Sequence, residues 1–171
     1  MIASATLPAR PLKCPCFATI QVQANTPTTI DGVPFITSAT NRVGDNHTFT
    51  VHVNQLVNGG STPATVGNGD VTLTSSNGAN AVINTGLSTC DDAQPNGDNL
   101  DNNGECTVVF SSATSGQVVG HATVSIPLGS TTLVRDTDPT TATIGSGPGG
   151  SAPATKKFVD AKTSIAPDAK K

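Results

Sequence analysis

Two cysteines, Cys90 and Cys106, bracket the most polar stretch of the chain, which carries Asp91, Asp92, Asp98, Asp101, Asn102, Asn103, Gly104 and Glu105. Thiols at this spacing can close the stretch with a disulfide. In the chain-entropy model such a bond stabilises by about 3 kcal/mol for a loop of about 15 residues. Two buried free thiols are the other arrangement open to them. The oxygens of Asp91, Asp92, Asp98, Asp101, Asn103 and Glu105 are hard ligands of the kind calcium takes. The stretch does not follow the helix-loop-helix calcium consensus, and Asn103-Gly104 is equally a favoured hairpin turn with solvated acidic neighbours. The residues call for no cofactor beyond this calcium option. Cys14 and Cys16 are too close to bridge each other and lack the second ligand pair of a zinc site, so they are incidental or pair between chains.

Other reactive side chains are few. His47 and His52 are five apart in one alternating run and therefore point to opposite faces, which argues against a metal site shared with His121. Glu105 is the sole glutamate and no Gly-x-Ser-x-Gly turn is present, so paired catalytic carboxylates or an activated serine have no evident source. No catalytic residue is assigned, and the chain is read as not an enzyme. A lysine amine held against an asparagine amide can form a Lys-Asn bond with help from a buried carboxylate. Lys156, Lys157 or Lys162 opposite Asn41 or Asn54 would be the arrangement here, although charged side chains at strand ends are usually solvated.

These residues must be positioned by strands. The run HTFTVHV places His47, Phe49, Val51 and Val53 on one face and Thr48, Thr50 and His52 on the other. In ECTVVFSS, Cys106, Val108 and Phe110 share the more apolar face, and in GQVVGHATVSI, Val118, Gly120, Ala122, Val124 and Ile126 do the same. Further β-rich runs are VPFITS, DVTLTS, ANAVIN, TTLVRD and KKFVDAKTSI, separated by Gly, Asn, Asp and Pro clusters. Ahead of them, Ala18, Ile20, Val22 and Ala24 alternate with polar residues as a leading strand. Residues 1–16 hold three prolines and show no period, so they read as an irregular arm. The segment from Thr137 to Thr155 reads as a surface loop.

The 171 residues suit one core better than two. Charged residues are 12% and aromatics 3%, a balance that favours short strands over long salt-laced helices. A net charge of −3 provides no field for phosphates, which argues against nucleic acid. No apolar run is long enough to span a membrane, and the start lacks the apolar stretch of a signal peptide, so export would depend on sequence outside this chain.

The segments SATNRVGDNHTFTVHV, GDVTLTSSNGAN, NNGECTVVFSSATSGQVVGHATVSI and KKFVDAK resemble the immunoglobulin-like tandem repeats of bacterial surface proteins, of invasin and intimin type. In those repeats an Asn-x-Val-Gly turn precedes a Thr and Val strand, followed by a Val-Thr-Leu strand, an Asp-x-x-Gly turn and a Thr-Val strand, the order found from Asn41 to Phe110. A Phe-Val-Asp-Ala sequence often closes such a repeat, as Phe158 to Ala161 does here. The resemblance covers roughly residues 31–171. The Cys14-Pro15-Cys16 arm and the long Asp and Asn stretch depart from it.

The expected organisation is therefore an arm over 1–16, a leading strand and linker over 17–30, and an all-β, immunoglobulin-like sandwich of seven to eight antiparallel strands over 31–171. An echo between Ile36 to Thr40 and Ile165 to Ala169 marks 160–171 as the start of a following repeat, leaving the C-terminal strand short of a partner. The resemblance implies a non-catalytic structural or adhesive module, outside the cell or on its surface. Its partners would be neighbouring repeats or identical subunits, including strand addition at a sheet edge, or a host or matrix protein or polysaccharide. The alternative is a calcium-dependent carbohydrate- or protein-binding module built on the Asp and Asn loop.

Overall fold

The computed structural model describes residues 17–23, 38–57, 60–90, 99–138, 145–147 and 150–165. Within them the chain is all-β and forms two sheets. The first holds β1 (Phe17–Gln23), β3 (His47–Val57), β4 (Gly60–Pro63), β6 (Ala81–Ile83) and β7 (Glu105–Ser112), in the order β1-β3-β7-β6 with β4 also on β3. The second holds β2 (Ser38–Arg42), β5 (Asn68–Ser76), β8 (Gly116–Leu128), β9 (Thr131–Asp136) and β10 (Ala154–Val159), in the order β2-β10-β8-β5 with β9 also on β8.

The alternation read along the sequence is what closes the sandwich. On β7 every second residue, Cys106, Val108, Phe110 and Ser112, is buried. On β8 the buried set is Val118, Gly120, Ala122, Val124 and Ile126. With Phe49, Val51 and Val53 of β3, Val71 of β5 and Phe158 of β10, these make one core. Burial of each valine or phenylalanine contributes roughly 1.5–3 kcal/mol, and the phenylalanines supply the bulk that the absent tryptophans and tyrosines do not. Phe49 and Phe110 meet with tilted rings, centroids 4.7 Å apart, and Phe110 meets Phe158 edge-on at 6.0 Å. The rings fit because β8 has a glycine beneath them: a Cβ on Gly120 would lie 2.6 Å from the Phe49 ring.

Several expectations are corrected. The described residues hold the expected leading strand, β1, and nine further strands where seven to eight were expected. One pairing is parallel, β2 with β10. The C-terminal strand does not lack a partner, because β10 is bonded to β2 on one side and to β8 on the other. Of VPFITS only Ser38 is among the described residues; it opens the strand Ser38–Arg42, so Asn41 and Arg42 lie in the strand itself and the turn follows at Val43 and Gly44. The short β4 carries no alternation to betray it, since Gly60 to Pro63 are all exposed. The irregular arm over 1–16 lies outside the described residues, as do Val33 to Ile36.

Candidate functional site

At one end of the sandwich, β7 begins at a turn built by Asp101. Its Oδ1 accepts the backbone N–H groups of Asn103 (2.8 Å) and Glu105 (2.9 Å), and Gly104 N–H donates to the Asp101 carbonyl at 2.9 Å. An aspartate before a tight turn makes this local bond more readily than other residues. Gly104 has φ +72° and leaves no room for a side chain, a Cβ there falling 2.4 Å from the Val53 carbonyl oxygen. Asn99 fastens the preceding segment to β5, giving and receiving bonds of 2.7 Å with the backbone of Gly69.

Beneath this turn Cys90 and Cys106 are joined by a disulfide, with Cα atoms 5.1 Å apart and both residues buried. A cleft of about 290 Å³ opens over the bond between Thr89, Leu100, Asp101 and Glu105. The proposed calcium ligands divide. Asp91, Asp92 and Asp98 lie outside the described residues. Asp101 holds its turn, with Asn103 Nδ2 donating to its Oδ2 at 3.2 Å, and Glu105 sits directly across β3 from His52, its Oε1 2.8 Å from His52 Nδ1. His52 faces away from the core yet is buried, which alternation alone does not reveal. Among the described residues no three His, Cys, Asp or Glu side chains gather as a metal site. His47 lies instead in the core, edge-on to Phe49 and Phe110 at 5.3 and 5.5 Å.

A second polar spot lies between the first and last strands of the second sheet. Lys156 of β10 is 0% exposed, because it shares the inward face with Ala154 and Phe158. Its Nζ donates to Asn41 Oδ1 at 2.7 Å, and Asn41 Nδ2 donates to the Asn46 carbonyl at 3.4 Å, which orients the amide. Burial pushes the Lys156 amine down from 10.5 to about 8. Among the described residues no carboxylate pairs with it: Asp45 pairs with Arg42, and Glu105 lies against His52. Of the lysines considered from sequence, Lys157 and Lys162 are exposed, and Asn54 lies on β3 in the other sheet. The expectation of solvated strand-end charges is thus corrected for Lys156; the signal was its phase with Phe158.

The fold and these two spots define a two-sheet β-sandwich closed by a disulfide at one end and carrying a buried Lys-Asn contact between β2 and β10. No family model, no curated protein and no solved structure matches the chain.

Proposed function

We propose that the chain is a non-catalytic immunoglobulin-like module of a secreted or surface-anchored bacterial protein, serving as a stalk, spacer or adhesive repeat. The observation that carries this reading is the parallel pairing of β2 with β10, Ser38 beside Thr155 and Arg42 beside Val159. Because β2 and β10 run in the same direction, the chain enters this pair at one end and leaves it at the other. That is the connectivity a string of modules needs to extend without doubling back. A load applied along the string would act on the strand pair in shear, straining its hydrogen bonds together rather than one at a time. The Cys90–Cys106 bond fits an oxidising compartment.

The test is binding of the labelled chain to bacterial cells, matrix proteins and a polysaccharide panel, with calcium and with chelator. A spacer binds none of them. Saturable binding that needs no calcium makes the module adhesive, and binding lost with chelator replaces this reading with the calcium-dependent module.

A further inference from the structure

We propose that Lys156 and Asn41 join covalently, as an intramolecular amide between β10 and β2. The amine and the amide are already in contact at 2.7 Å, 115 residues apart in sequence, with the amine buried and the amide held by a second bond to Asn46. In the reaction the Nζ lone pair attacks Asn41 Cγ, a proton passes from Nζ to Nδ2, and the Cγ–Nδ2 bond breaks with release of ammonia. One C–N bond forms and one breaks, and no oxidant, reductant or cofactor is consumed. The departing nitrogen is the one turned toward the exposed Asn46 carbonyl, so ammonia has a way out.

Two features favour attack over a resting hydrogen bond. Holding nucleophile and acyl group together is equivalent to effective concentrations of the order of 10⁵ M or more when alignment is good. The amine also loses its charge more readily than an exposed lysine, with a pKa of about 8, so a fraction on the order of a tenth is nucleophilic at neutral pH. With no carboxylate paired with Lys156 among the described residues, proton transfer is direct and the bond accumulates slowly after folding.

If the module is indeed a stalk, the bond has a mechanical consequence. Load entering through β2 would cross from Asn41 to Lys156 and leave through β10, bypassing residues 42–155. The bond itself forms or fails to form whatever the chain's attachments, so its test is separate from the binding panel.

The experiment is the intact mass of the folded, aged and then reduced full chain, followed by tryptic mapping. The expected result is a chain lighter by one ammonia. It should yield a branched peptide joining the fragment that ends at Arg42 to the fragment Asp136 to Lys157, with cleavage after Lys156 blocked. Asn41→Ala and Lys156→Arg should both keep the full mass. Full mass in the unmutated chain, with ordinary cleavage between Lys156 and Lys157, overturns the proposal. So does an ammonia loss without the branched peptide, as a succinimide at an Asn-Gly step would give.

Discussion

The two polar spots clamp the sandwich in opposite ways. The disulfide joins residues 16 apart and tightens one end. The Lys156–Asn41 contact joins residues 115 apart and ties the two ends of the module together. Loop-closure entropy grows with the logarithm of loop length, so the second clamp, once joined by the proposed amide bond, restricts the unfolded chain more than the first, though it links two unremarkable polar residues. One clamp yields to reductant and the other does not. The comparison teaches that the residues most visible in the sequence need not be those that constrain the fold most.

The largest expected effect breaks the long clamp. Asn41→Ala removes the amide bond and should lower stability by about 5 kcal/mol, the chain-entropy value for a loop of over a hundred residues, measured by urea unfolding. It also leaves Lys156 as a buried free amine, with a pKa near 8 against 10.5 unfolded. Below pH 8 both states are protonated and the burial cost is felt in full. From about 8 to 10.5 the unfolded chain binds more protons than the native one, so stability of the variant should rise with pH. The crosslinked protein, whose Lys156 nitrogen no longer titrates, should lack this rise. Second in size is the short clamp: reductant should cost about 3 kcal/mol and leave the Asn41–Lys156 branched peptide untouched.

The same contrast explains what could be read beforehand. Strict alternation announced β3, β7 and β8, because each has one face in the core, and the core residues followed from it. The Cys90–Cys106 bond was legible because its partners flank a single loop. The parallel seating of β10 between β2 and β8 was not, since strand order arises from long-range packing that local pattern does not encode. For the same reason three lysines and two asparagines were equal candidates until register placed Lys156 two positions from Phe158, facing inward. His52 stayed hidden because alternation turns it away from the core, a face that pattern alone reads as solvent-exposed, yet it is buried there.

A third prediction probes the packing beside the long clamp. Gly120 lies opposite Ala154 of β10 and beneath Phe49. Gly120→Ala should destabilise by about 2 kcal/mol through overpacking, measured as a drop in Tm, whereas the same change at exposed Gly129, where a Cβ meets nothing within 4 Å, can act only through its left-handed backbone, at roughly 1 kcal/mol.

The smallest effect separates turn from ligand at the short clamp. Asp101→Ala removes an oxygen that accepts two backbone N–H groups. Because those groups then reach water, the cost should be about 1 kcal/mol. Asp101→Asn keeps an acceptor oxygen in the same place and should recover most of that loss. A calcium ligand behaves otherwise: calcium binding depends on the negative charge that both substitutions remove, so both would abolish a calcium-induced rise in Tm equally. Near-native stability of Asp101→Asn, with no response to calcium or chelator in either variant or in the unmutated chain, assigns Asp101 to the turn. A calcium-dependent rise in the unmutated chain that both variants lose would give the loop a ligand and make the disulfide its frame.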